Sequence, residues 1–214
     1  MLEMKTYSRE ELVSLLGNAS NQGLKRKLER YGVEFRAEGR GNSITFHITG
    51  ISDSFKMFCM TELNIAANTD FHKLKWFYYY FFNDEEFMAM PDEVKEYRMS
   101  TFGTPITRQT IANYISKLEQ KNMITRNTKN FIYYFAYKKT QRIVNKEEYL
   151  TAWHEYWAEI DDGICSCDAI WDMRAKYGGV ARKQAIPEIN GIYNEKIEYF
   201  ISLIAESVEN EIST

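Results

Sequence analysis

The interpretation of this chain starts from residues 107–121, which read Thr107-Arg108-Gln109-Thr110-Ile111-Ala112-Asn113-Tyr114-Ile115-Ser116-Lys117-Leu118-Glu119-Gln120-Lys121. At about 100° per residue, Ile111, Ile115 and Leu118 fall within about 60° of one another, with Tyr114 beside them. This spacing predicts an α-helix that buries one side and is capped at its start by the Thr107 hydroxyl.

The opposite side of the predicted helix is rich in amides and hydroxyls. A solvated helix more often carries Glu and Lys there, paired four residues apart. Asn and Gln can form two hydrogen bonds with the edge of adenine, and flanking cations can reach phosphates on either side of a groove. The pattern therefore predicts a helix that reads base pairs in the major groove, with an Asn- and Gln-rich surface helix that arose by chance as the alternative. The predicted base contacts are Gln109, Asn113, Ser116 and Gln120, and the flanking contacts are Arg108, Thr110, Lys117 and Lys121.

A second element follows the helix directly. Asn122-Met123-Ile124 ends the helix, and residues 125–130 form a predicted basic turn that includes Arg126 and Lys129. Residues 131–137 are aromatic and β-rich, which predicts a strand. A hairpin beside a recognition helix typically touches the DNA backbone or the minor groove, so Arg126 and Lys129 are predicted DNA contacts.

The distribution of charge supports this interpretation. The 214 residues carry a net charge of −3, but the segments 1–50, 51–96, 97–146 and 147–214 carry +2, −5, +9 and −9. The segment 97–146 has one acid, Glu119, among ten basic residues. Such asymmetry indicates a phosphate-binding surface. The alternative is a basic face that neutralises the acidic segment after it.

The first fifty residues also predict helices followed by a β-hairpin. Ser8 and Glu11 form a capping box at the start of one helix, and a second helix is predicted over residues 21–31. Hydrophobic alternation over residues 33–48, interrupted at 38–42, predicts a β-hairpin. The predicted DNA contacts of this region are Gln22, Lys25, Arg26 and Arg40.

The stretch Gly103-Thr104-Pro105-Ile106-Thr107-Arg108-Gln109-Thr110-Ile111, with Tyr114-Ile115, Leu118-Glu119 and Asn122-Met123-Ile124, resembles the recognition helix and first wing strand of winged helix-turn-helix proteins. The resemblance implies binding of duplex DNA with the helix in the major groove. Residues 7–50 resemble a smaller helix-turn-helix with a wing, although the turn at 18–21 lacks the usual small residue and Gly. The tandem layout resembles plasmid and phage replication initiators and replisome organisers.

The predicted fold class is mainly α with small β-hairpin wings. We expect three segments: a helix-turn-helix with a wing at 1–52, a winged helix-turn-helix at 53–145, and an acidic helical region at 146–214. In the third segment, Pro187 is predicted to open a final helix. The apolar stripe of this helix either packs within the chain or forms the interface of a homodimer with a second copy. The stripe consists of Ile189, Tyr193, Ile197, Phe200, Ile201, Ile204 and Val208.

The sequence shows no recognisable catalytic chemistry. It contains no phosphate loop, Gly-rich dinucleotide fingerprint or His-Glu-x-x-His motif. Cys165 and Cys167, with His154 or Asp168, lack the paired spacing of structural zinc sites. We therefore expect no enzymatic activity, no cofactor and no metal.

Composition predicts a cytoplasmic protein that contacts no membrane. The apolar run at 76–82 is far shorter than the about 20 residues of a membrane helix, and the odd number of cysteines favours a reducing compartment. The aromatic residues of this run are expected to be core, with stacking of single-stranded bases as the alternative.

The sequence thus predicts a sequence-specific duplex DNA-binding protein of a plasmid, phage or mobile element, acting in replication initiation or organisation or in transcriptional regulation. The alternative is an inhibitor or interaction module on the same scaffold, which binds a host protein through the acidic region 146–214.

Overall fold

The computed structural model describes residues 2–137, 140–191 and 194–213. The chain forms two compact units: unit 1 comprises Met1–Tyr79 and Ile192–Thr214, and unit 2 comprises Tyr80–Gly191. The described residues form ten α-helices and two antiparallel three-stranded sheets, which confirms an α+β fold.

Unit 1 begins with a strand, two helices and a hairpin. The strand β1 and the hairpin form one sheet in the order β1-β3-β2, with Phe46 opposite both Tyr7 and Ala37. Helix α4 contributes residues to both units. The elements that contribute to unit 1 are β1 (Thr6–Ser8), α1 (Arg9–Leu16), α2 (Asn21–Arg30), β2 (Val33–Glu38), β3 (Thr45–Ile51), α3 (Ser54–Thr61), α4 (Phe71–Asn83) and α10 (Asn194–Ile212).

Local signals in the sequence account for the start of unit 1. The predicted capping box is confirmed, because Ser8 accepts from the amide of Glu11 and the Glu11 carboxylate accepts from the amide of Ser8. Gly32, which follows α2, has a φ of 70°, and a Cβ there would lie 2.6 Å from Ser52 Oγ. The predicted hairpin is confirmed as β2 and β3, while the short strand β1 was not predicted.

The apolar stripe of α10 is buried inside unit 1. Phe200 stacks on Phe58 of α3, with ring centroids 4.6 Å apart, and meets Tyr78 of α4 edge-on at 5.4 Å. Of the two alternatives for the stripe, the structure shows packing within the chain. The stripe residues Ile197, Phe200, Ile204 and Val208 are all buried, and Ile201 is half-buried. The placement of Ile189 on this helix was wrong, because Ile189 is exposed at the end of the strand Val180–Ile189. Tyr193 lies outside the described residues.

Unit 2 places two short helices before the helix of residues 107–121 and a sheet after it. The sheet order is β5-β4-β6, so the long strand β4 is central. Besides the end of α4, unit 2 contains α5 (Glu85–Ala89), α6 (Asp92–Thr101), α7 (Arg108–Gln120), β4 (Ile124–Tyr137), β5 (Thr140–Val144), α8 (Lys146–Asp161), α9 (Ser166–Tyr177) and β6 (Val180–Ile189).

Two predictions in this unit were wrong. Pro187 does not open a helix: it lies in β6, opposite Arg126 of β4. The basic stretch 125–130 is not a simple turn either, because β4 runs through it. The pairing shifts there from Arg126↔Pro187 to Phe131↔Ala185, so residues 127–130 form an irregularity in the strand. Because β6 completes the sheet, residues 146–191 group with the α7 unit and α10 groups with unit 1.

Lys95 of α6 is a fully buried cation in unit 2. Its ammonium donates to the carbonyl of Met90 and lies 3.9 Å from an Asp92 carboxylate oxygen. Burial lowers the pKa of Lys95 from 10.5 to about 8, with Asp92 opposing the shift and Arg126 adding to it. The folded chain therefore holds this proton less tightly than the unfolded chain does.

We predict that the free energy of unfolding of the wild type rises, relative to that of Lys95→Met, as the pH rises from about 8 to about 10.5. Between these values the unfolded state binds more protons at this position, and below about 8 the cost of burying the charge is fully present. The relative gain should be on the order of 2–3 kcal/mol. Urea denaturation across this pH range measures it, with exposed Lys183→Met as the control. Parallel pH curves for the wild type and Lys95→Met would contradict the prediction.

Candidate nucleic-acid interface

Helix α7 has one buried side and one exposed side. Ile111, Ile115 and Leu118 are fully buried and Tyr114 is almost so, while the amides of Gln109, Asn113 and Gln120 are exposed. Ser116 lies half-buried on the same outward side. The predicted orientation of the helix is confirmed, and its contact with DNA stays a prediction.

The ends of α7 are set by local hydrogen bonds. The Thr107 hydroxyl accepts from the amide of Thr110, as expected of an N-cap. At the other end, the amide of Met123 donates to the carbonyl of Leu118, and Asn122 takes a φ of 54°. Asn tolerates this left-handed conformation better than most residues, so the helix stops here and β4 begins at Ile124.

Arg108, predicted to flank the helix, and Arg126, predicted to contact DNA from the hairpin, are both held by carboxylates. Arg108 Nη1 lies 2.6 Å from Glu93 Oε1, and Arg126 Nε lies 2.5 Å from Glu119 Oε1. Of the four side chains, Arg108 is exposed and Glu93, Arg126 and Glu119 are half-buried. Phosphate contact through either arginine therefore has to compete with an acid that is already in place.

The lysines of the helix are placed differently. Lys117 and Lys121 are half-buried and make no ion pair with any other residue that the structure describes. Their ammonium groups lie on one edge of the outward face, next to the half-buried Thr110. On the outward face itself, Gln120 Nε2 donates to Ser116 Oγ at 3.3 Å.

Glu93 of α6 connects four elements of unit 2. Its carboxylate pairs with Arg108 of α7, accepts from Arg182 of β6 at 3.2 Å, and accepts from the Tyr134 hydroxyl of β4 at 3.3 Å. Burial, together with the charge of Glu93, raises the pKa of Tyr134 to about 12. Sequence analysis missed Glu93 and Arg182 because no local pattern links residues 89 positions apart.

Arg126 and Lys129, the DNA contacts predicted for the hairpin, lie along β4. Arg126 is half-buried just before the irregularity at residues 127–130, and Lys129 is exposed within it. The hairpin with β5 then runs from Tyr133↔Val144 to Tyr137↔Thr140. Arg126 and Lys129 thus belong to the strand that follows α7 directly.

In unit 1, the predicted contacts lie on α2 and on the connection between β2 and β3. Gln22 and Arg26 are exposed, Lys25 is half-buried, and Arg40 is exposed in the connection. Asn21 Nδ2 donates to the carbonyl of Gly41 at 2.8 Å, which ties the start of α2 to that connection. This contact places the start of α2, which carries Gln22, beside the connection that carries Arg40.

The cysteines of unit 2 form a small exposed group. Cys165 Sγ lies 2.6 Å from Cys167 Sγ and 2.9 Å from an Asp168 carboxylate oxygen. His154 is not part of this group. The hydrogen bond to Asp168 is the main cause that raises the pKa of Cys165.

No helix in the part of the chain that the structure describes is long and apolar enough to cross a membrane. No family model, curated protein or solved structure matches this chain.

Proposed function

We propose that this protein binds duplex DNA in a sequence-specific manner, with α7 in the major groove. The observation that carries the proposal is the separation of the two sides of α7: its apolar side is buried, and the exposed side presents Gln109, Asn113 and Gln120. Amides at these positions can read adenine edges. Lys117 and Lys121 along the edge of the helix supply cations for phosphates.

The order of elements supports the same function. In unit 1, α1 and α2 precede the β2–β3 hairpin, and in unit 2, α6 and α7 precede the β4–β5 hairpin. Two helices followed by a hairpin is the order on which the resemblance to winged helix-turn-helix proteins rests. Two such units in one chain favour replication initiation or organisation, or transcriptional regulation, in a plasmid, phage or mobile element.

A selection from a random duplex pool with the full chain tests the proposal and supplies the probe for the variants below. Enrichment of a single motif is the expected result. A pool that stays random after repeated rounds at physiological salt would contradict sequence-specific binding.

Asn113→Ala should weaken binding to the selected duplex by about 1–3 kcal/mol, because it removes a bidentate base contact. Binding to an unrelated duplex should change little. Fluorescence anisotropy titrations measure both affinities, with Asn68→Ala, an exposed Asn of unit 1, as the matched control. Equal affinities of the wild type and Asn113→Ala for the selected duplex would remove Asn113 from the interface.

Lys117→Ala should weaken binding to every duplex alike and make the salt dependence shallower by about one unit, since a phosphate contact releases a counterion. Titrations at several salt concentrations give the slope. The control is Lys73→Ala, whose ammonium lies 3.4 Å from Asp70 in unit 1. An unchanged slope for Lys117→Ala would place that lysine away from the phosphates.

A second candidate function is binding of a host protein through the acidic hairpin of α8 and α9. Trp157 is 56% exposed there, with Leu150 and Ile164 also exposed on a hairpin rich in carboxylates. Exposed aromatic residues are enriched at protein interfaces. A pull-down with and without nuclease separates the two functions. The DNA-binding proposal expects captured proteins to disappear after nuclease, whereas a partner that survives nuclease and is lost in Trp157→Ala would favour the interaction module.

A further inference from the structure

Unit 2 contains a cationic pocket between its sheet and α9. The pocket has a volume of about 290 Å³, which is at the lower end of the range for small-ligand sites. Three arginines and one carboxylate line it, so its walls carry an excess of positive charge. The lining residues on which the argument depends are Glu93, Arg108, Gln141, Trp171, Arg174 and Arg182.

The positive charge of the pocket is only partly balanced. Glu93 is shared between Arg108, at 2.6 Å, and Arg182, at 3.2 Å. Arg174 has no ion-pair partner within the described ranges, and its guanidinium carbon lies 5.1 Å from the centre of the Trp171 ring. One carboxylate therefore faces three guanidinium groups, and an anion would complete the balance.

Two nitrogen atoms of the pocket residues lack hydrogen-bond acceptors. Gln141 Nε2 and Arg174 Nε are both shielded from solvent, and neither has a partner among the residues that the structure describes. Leaving a buried donor unpaired is costly, so such donors usually meet an acceptor when their site is filled. Both belong to residues that also line the cationic pocket, and a rotation of either side chain toward the pocket would let its nitrogen donate to a ligand with acceptor oxygens.

The chemistry of the lining narrows the class of anion. Guanidinium groups match the geometry of phosphate oxygens, to which they donate in pairs. Trp171 is 60% exposed and presents an aromatic surface at the rim of the pocket, where a nucleobase can stack. A simple carboxylate would use the arginines and leave this surface unoccupied.

We propose that this pocket binds the phosphate of a nucleotide, with Arg174, Arg182 and Gln141 donating to its oxygens and Trp171 stacking on its base. The inference goes beyond duplex recognition by α7, because a free nucleotide supplies both an anion for the arginines and a base for Trp171. A backbone phosphate of bound DNA offers the same oxygens without a base free to stack. Titration with a mononucleotide and with a duplex distinguishes these two sources of phosphate.

The test is calorimetric titration of the full chain with adenosine 5′-monophosphate, adenosine, inorganic phosphate and a short duplex. The monophosphate should bind, adenosine should not, and phosphate alone should bind more weakly because it lacks the stacking base. Arg174→Ala and Arg182→Ala should each weaken monophosphate binding at least about tenfold, as expected for loss of a charge-assisted donor. Lys183→Ala, an exposed neighbour of Arg182 on β6, should leave it unchanged.

The Gln141→Leu variant distinguishes an effect on ligand binding from an effect on folding. It removes an unpaired donor and keeps a similar volume, so the melting temperature should hold or rise while monophosphate binding weakens. Asn113→Ala should not affect this binding, which keeps the result independent of duplex recognition. If only the duplex binds and its affinity depends on Arg174 and Arg182, the phosphate comes from the DNA backbone, and the proposal of a nucleotide site is overturned. The proposal would also be overturned if neither the monophosphate nor the duplex bound in a way that depends on these arginines.

Discussion

The structure of unit 2 depends on the burial of one side of α7. Ile111, Ile115 and Leu118 lose all contact with water, and complete burial of each such side chain contributes about 1.5–3 kcal/mol. Rotation of the helix about its axis would expose these apolar groups and bury amides without partners. Both changes would destabilise the folded state. The outward position of Asn113 is thus a consequence of core packing.

Electrostatics adds a second constraint around Glu93. This carboxylate on α6 holds Arg108 at the start of α7 and Arg182 on β6, so a single charge ties the helix pair to the edge of the sheet. Because one acid serves two guanidinium groups, the surroundings remain electropositive. The Glu93 carboxylate therefore positions the start of the proposed recognition helix, while the neighbouring pocket keeps an excess of positive charge.

The sequence predicted those parts of the fold that are encoded by nearby residues. The Ser8 capping box and the two sides of α7 depend on spacings of three or four residues, which can be counted directly in a sequence. Strand β1 is too short to show a period, and Pro187 is a helix-start signal that here lies in a strand. Proline is tolerated there because β6 is at the edge of the sheet.

The two candidate sites also differ in how far the sequence predicts them. The outward residues of α7 follow from helical periodicity alone, so the sequence is sufficient to predict them. The pocket brings together Arg108 of α7, which precedes the sheet, Arg174 of α9, which lies between β5 and β6 in the chain, and Arg182 of the edge strand β6. Such a grouping depends on the pairing of β4 with β6, which leaves no periodic signal in the sequence.

Disulfide trapping at position 113 tests the central claim most directly. A chain carrying Asn113→Cys, with the exposed Cys165 and Cys167 changed to Ser, is mixed with the selected duplex bearing a thiol tethered to a base in the major groove. The account predicts a crosslink at a position within the selected motif, and none from His154→Cys, which is exposed on α8. Equal trapping by both chains, or none by Asn113→Cys, would show that the outward side of α7 does not face base pairs.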